Sequence, residues 1–125
     1  MRTLSIRRGD IWIIDFDPTT GREQRGSRPS VVLSSDLIDS SALGLTFVVP
    51  GTRTARYDAS GRPVPNHIRV EPLPSNGLSA TTFFMTEQLR SVSIERLVKR
   101  IGVLTDKQLF DLEEIAILLL DLGPK

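Results

Sequence analysis

The chain has 125 residues, 39% apolar and 25% charged, with a formal net charge of +1. That is the profile of one globular domain, spanning residues 1–125, able to bury a core. Cysteine is absent and His67 is the single histidine. A disulfide framework and a thiolate metal site are therefore excluded, and a zinc or iron site would need carboxylates gathered around His67. No metal or cofactor is expected. The longest apolar run, Ile115 to Leu120, stops at Asp121, well short of the ~18 residues of a membrane span. The first ten residues carry arginines but no apolar h-region, so the expected location is the cytoplasm. Charge is divided along the chain. Residues 1–70 hold ten Lys/Arg against seven Asp/Glu, and residues 71–125 six against eight. The positive first half is compatible with a polyanionic partner without demanding one.

The first predicted strand is Gly9 to Phe16, rich in Ile and aromatic residues and apolar on both faces. Asp17-Pro18 breaks it, and Thr19 to Arg28 has no periodicity and reads as a long loop. Ser30 to Ser34 is a short second strand, Asp36 to Leu43 a helical turn plus loop, and Leu45 to Val49 a third strand. Pro50-Gly51 should end that strand and open a polar, flexible-looking stretch from Thr52 to Asn66. His67 to Val70, Thr81 to Glu87 and Leu97 to Val103 complete the strands, with a turn at Pro72 to Gly77.

A helix closes the chain. Thr105 and Gln108 form a capping box, and Gly123-Pro124 marks the stop. Leu109, Leu112, Ala116 and Leu119 share a face, but Phe110, Ile115, Ile117, Leu118 and Leu120 extend the apolar surface beyond one stripe. Such a helix must be buried on more than one side, partly on the sheet and partly on a second subunit. Short strands with one terminal helix predict a mainly β (α+β) fold, an SH3-like small β-barrel with a C-terminal α-helix.

The densest polar constellation is the loop Gly21-Arg22-Glu23-Gln24-Arg25-Gly26-Ser27-Arg28-Pro29. Its glycines permit close backbone approach, and Pro29 holds Arg28 extended at the root of a strand. Arg22 and Arg25 stand further out. Taken alone, the loop reads first as a solvated, charge-neutralising segment. At Val49-Pro50-Gly51-Thr52-Arg53-Thr54, a strand end could offer a hydroxyl and backbone N–H groups to a phosphate, or be simple turn chemistry. His67 reads as a rim residue. Glu87, after Phe83-Phe84-Met85, reads as a strand-end carboxylate, either an arginine's partner or part of a site. Arg96, Lys99 and Arg100 read as a solvated basic face, and Trp12 as core.

Together these segments resemble the MazF/PemK/Kid family of bacterial toxin ribonucleases, the plasmid-maintenance toxin fold shared with CcdB. The likeness begins at Arg8-Gly9-Asp10-Ile11-Trp12 and Asp15-Phe16-Asp17-Pro18. It is most specific at Gly21-x-Glu23-Gln24-x-Gly26-x-Arg28-Pro29, and returns at Val48-Val49-Pro50-x-Thr52 and Glu87-Gln88-x-Arg90-Ser91-Val92. The resemblance implies a dimeric toxin that cleaves single-stranded mRNA selectively without a metal and is held by an acidic, MazE-like antitoxin. It places the catalytic arginine on Arg28, the catalytic threonine on Thr52 and a further glutamate on Glu23. Some relatives use an arginine and an acid on the Thr81–Glu87 segment instead. Here Glu87 matches the acid, but Met85 stands where that arginine would be. Arg22, Gln24, Arg25, Arg53, Arg56 and Glu87 are then the expected RNA-contacting set. A CcdB-like toxin that binds gyrase without cleaving RNA, and a barrel that binds RNA without turnover, are the competing expectations.

Overall fold

A computed structural model describes residues 5–17 and 26–124. Seven strands, β1 (Asp10–Asp15), β2 (Ser27–Val32), β3 (Leu45–Thr52), β4 (His67–Val70), β5 (Thr82–Met85), β6 (Arg90–Ser93) and β7 (Leu97–Val103), pair antiparallel. The order is β4-β5-β3-β2-β1-β7, with β6 also on β3. A one-turn helix α1 (Ser40–Leu43) precedes β3, and α2 (Asp106–Leu120) follows β7. This is the expected mainly β barrel with a C-terminal helix. No helix among the described residues is long and apolar enough to cross a membrane.

Alternation along the central strands explains the two-sided apolar pattern of the first. Ile11, Val31 and Val49 join Ile68, Val70, Phe84 and Leu112 in one buried cluster. Trp12, Ile14, Val32 and Val48 join Phe16, Val92 and Leu97 in a second. Each side of β1–β2–β3 thus has its own core, as period-two patterning on a doubly covered sheet requires.

Strand β3 is the hinge of the architecture and longer than the sequence suggested. It runs through Pro50-Gly51 to Thr52, changing partners as it goes. Leu45 to Val48 pair with β6, whereas Gly51 and Thr52 pair with Phe84 and Phe83 of β5. Gly51 makes this possible. A Cβ there would lie 2.6 Å from Thr82 Cγ2 and 3.0 Å from the Pro29 carbonyl oxygen, so only glycine lets β2 and β5 close on it.

Other boundaries also move. β2 starts at Ser27 rather than Ser30, because Arg28 and Ser27 pair with Ile14 and Asp15. β5 ends at Met85, and Thr86–Gln88 form a 3-10 turn, so Glu87 lies on that turn and not on a strand. β6 has only four residues, three of them polar, too little alternation to show in sequence.

The capping box of α2 is present: Gln108 N–H donates to Thr105 Oγ1 at 3.1 Å and Thr105 N–H to Gln108 Oε1 at 3.0 Å. The helix ends at Leu120, earlier than Gly123-Pro124: Asp121 caps it, its N–H donating to the carbonyls of Ile117 and Leu118, and its left-handed conformation (φ 54) turns the chain away. Leu112 and Ala116 are buried, while Phe110, Ile117, Leu118, Leu119 and Leu120 stay exposed on this chain.

Candidate active site

The root of the polar loop is fastened from several directions. Gly26, at φ 74, donates its N–H to Asp17 Oδ1 at 3.0 Å, and its carbonyl accepts from Phe16 N–H at 3.0 Å. Arg96 reaches across from the 3-10 turn between β6 and β7 and donates to the carbonyls of Asp15 (3.1 Å) and Asp17 (2.6 Å). Arg90 lies over the Phe16 ring, 5.5 Å from its centroid. Arg100 pairs with the buried Asp10 at 3.2 Å, and Asp10 also accepts from Arg7 N–H at 2.9 Å. Arg96 and Arg100 thus have structural partners that their reading as a solvated basic face did not include. Arg22, Glu23, Gln24 and Arg25 lie outside the described residues.

From this root β2 carries Arg28 to a cleft of about 550 Å³ lined by Gly26 to Pro29, Gly51 to Thr54 and Gly77 to Ala80. Arg28 is half-buried, with Nη1 3.5 Å from the Gly51 carbonyl oxygen. The next residue on β3, Thr52, is buried. Its Oγ1 accepts from Thr54 N–H at 3.2 Å, which leaves the hydroxyl proton available to a ligand oxygen. Arg53 lines the same cleft and donates to Ser79 Oγ at 2.8 Å. Arg28 therefore meets Thr52 and Arg53, which follow it by 24 and 25 positions, in one place. A guanidinium, a hydroxyl and neighbouring backbone N–H groups in a cleft can hold and polarise a phosphate.

Arg56 and Glu87 do not join them. They line a second cleft of about 590 Å³ with Tyr57, Val64, Asn66, His67, Met85 and Gln88. His67 Nε2 lies 2.9 Å from Glu87 Oε2, so the partner of Glu87 is this histidine. The imidazole is only 5% exposed, which corrects its reading as a rim residue. Pairing with Met85 across β4–β5 draws His67 under the segment that follows Thr54.

That segment is also better ordered than its composition implied. Asp58 Oδ1 accepts from Ser60 N–H, Ser60 Oγ and Arg62 N–H at 2.6–3.0 Å, and Asp58 N–H donates to the Arg62 carbonyl at 2.8 Å. Val64 N–H donates to the Arg56 carbonyl at 3.1 Å, and Tyr57 pairs with Pro63. These bonds make a small hairpin. They also hold the Asp58 carboxyl below its ordinary value, the Ser60 hydroxyl first and the Arg62 N–H next.

Residues 7–120 match the family described as PemK-like, MazF-like toxin of type II toxin-antitoxin system. The chain belongs to this family. An endoribonuclease MazF9 of Mycobacterium tuberculosis is 35% identical over 124 residues, covering 94% of this chain and 98% of the relative. Among solved structures, a MazF from Deinococcus radiodurans superposes with a TM-score of 0.75 at 23% identity, covering 93% of this chain and 96% of that one. A mycobacterial endoribonuclease in complex with its cognate antitoxin has a TM-score of 0.72 at 15% identity, covering 97% and 100%. Both share the PemK/MazF fold described above. Family membership favours the endoribonuclease reading over a CcdB-like toxin that binds gyrase.

Proposed function

We propose that this chain is the toxin of a type II pair and an endoribonuclease, cleaving single-stranded mRNA in the cytoplasm by attack of the RNA's own 2′-hydroxyl. The convergence of Arg28 and Thr52 on one cleft carries this reading. As the 2′-oxygen bonds to the adjacent phosphorus, negative charge builds on the non-bridging oxygens. Arg28 stabilises it as a fixed positive charge, and the Thr52 hydroxyl donates to the same oxygens. Arg53 grips a neighbouring phosphate. Glu23, assigned through the family motif, takes the 2′-proton; the phosphorus–O5′ bond breaks, and the leaving oxygen is protonated by water. The products are a 2′,3′-cyclic phosphate and a 5′-hydroxyl. No step calls on a metal or cofactor.

Two partners follow from the same surfaces. The exposed side of α2, from Phe110 to Leu120, fits a second copy of the chain, giving a homodimer. The basic cleft suits the acidic tail of a MazE-like antitoxin as well as it suits RNA, so salt should weaken both complexes.

Mixed RNA incubated with the purified protein in EDTA tests the activity. Sequenced fragments should carry 5′-hydroxyl ends at a defined word, and an RNA with 2′-deoxy at the scissile nucleotide should resist. Cutting at the deoxy position would refute the mechanism. Gyrase inhibition without RNA cleavage would restore the competing reading.

A further inference from the structure

The His67–Glu87 cleft has no part in the chemistry above, yet it contains an unpaired polar atom. His67 Nε2 faces Glu87 Oε2 at 2.9 Å, and in the neutral tautomer that donates from Nε2 to this carboxylate, Nδ1 is a lone-pair acceptor. That Nδ1 is sealed from solvent and has no hydrogen-bond partner among the described residues. An acceptor dried in this way costs stability until a donor reaches it. The remaining lining has the chemistry of a nucleotide: a guanidinium at Arg56, a 63% exposed ring at Tyr57, and carboxamides at Asn66 and Gln88. Position matters as much. Thr54 lines the first cleft and Arg56 the second, so the chain passes between them in two residues, at most about 7 Å.

Resting on the cleavage reading, we propose that this cleft is a base-reading subsite for a nucleotide adjoining the scissile phosphate, with His67 Nδ1 as its reader. The base stacks on Tyr57, as unstacked RNA bases do on aromatic rings, and its phosphate meets Arg56. Nδ1 accepts from an exocyclic amine. Glu87 is a positioning residue, since it fixes the tautomer that makes Nδ1 an acceptor. The subsite therefore favours the amine-bearing bases adenine, cytosine and guanine over uracil, which has no exocyclic amine.

Cleavage of a randomised RNA library tests the proposal. The wild-type protein should show an amine-bearing base at one position beside the cut. His67→Phe, which keeps the ring and removes the acceptor, should flatten that preference about tenfold through a higher KM on the preferred substrate. His67→Asn should restore part of it. Tyr57→Ala, on an exposed site that does not threaten folding, should raise KM severalfold for every base. An unchanged profile in folded His67→Phe overturns the subsite alone, as does an unchanged KM in Tyr57→Ala. If His67→Phe weakens capture of an acidic peptide and spares the RNA profile, the cleft serves a protein partner and the proposal fails. Absence of cleavage by the wild-type protein would instead overturn the reading on which it rests.

Discussion

Arg28 and Thr52 stand on strands paired along both edges, whereas Arg56 and Tyr57 stand on a hairpin fastened mainly by its own hydrogen bonds. The two clefts are adjoining stretches of one chain, but their stiffness has different sources. In the first, β1–β2–β3 pairing and the absence of a Cβ at Gly51 set the backbone to which the proposed catalytic groups are attached. In the second, a single carboxylate organises a turn of surface residues. Groups that must meet a transition state gain from the first kind of support, where small displacements are costly. Groups that select a substrate tolerate the second.

The largest expected contrast is between Arg28→Ala and Arg56→Ala. Removing the proposed charge stabiliser should lower kcat by about 10²- to 10³-fold with the circular dichroism spectrum unchanged. Removing the hairpin arginine should change mainly KM, severalfold, and reduce the salt dependence of binding. Similar losses of kcat from both variants would merge the two clefts into one catalytic unit.

Gly51→Ala comes next. The new methyl meets the Pro29 carbonyl and the Thr82 and Phe84 side chains, so β2 and β5 must move apart. Overpacking of this kind costs about 1–3 kcal/mol, visible as a lower midpoint in urea, and Arg28 and Thr52 move with the strands. Activity should therefore fall further than stability does. A variant that unfolds earlier yet turns over normally would separate the packing from the chemistry. Arg96→Ala should act more weakly, by about tenfold in kcat, because it removes the tie on Asp15 and Asp17 while Gly26 keeps its bond to Asp17. Arg96→Lys should recover part of that loss, and an unchanged KM would mark the residue as one that positions the loop root.

The sequence made the scaffold legible wherever local signals agree with burial: the two-sided apolar strand at Ile11 to Phe16, the Thr105–Gln108 capping box, and the apolar excess of α2. Arg28 and Thr52 are assigned to the candidate site through the family motif. Their meeting in one cleft depends on β3 running past Pro50-Gly51, which turn propensity argues against and tertiary packing overrides. Arg96 and His67 were misread for a related reason. Each finds its partners in distant segments, Asp15 and Asp17 for one and Glu87 for the other, and no spacing rule announces a long-range hydrogen bond. The hairpin was hidden because Asp58, Ser60 and Arg62 look like any polar loop until the Asp58 carboxylate is seen to gather their donors.

The smallest effect is a pH dependence confined to that hairpin. Hydrogen bonds from the Ser60 hydroxyl and the Arg62 and Ser60 N–H groups favour the ionised Asp58 carboxylate, so its folded value lies below 3.8. The contribution is fully present above 3.8 and is lost as pH falls through the lowered folded value, since protonation removes the charge those donors prefer. Amide exchange followed by NMR should show Gly61 and Arg62 losing protection in that acid range while Val31 and Val49 of the central strands keep theirs. Glu71 titrates nearby, held below 4.5 chiefly by the Thr81 hydroxyl, and Thr81→Ala distinguishes its share. Asp58→Asn should remove the hairpin transition and leave the central strands as they were. If the strands lost protection together with the hairpin, the two clefts would share one support and the contrast between them would fail.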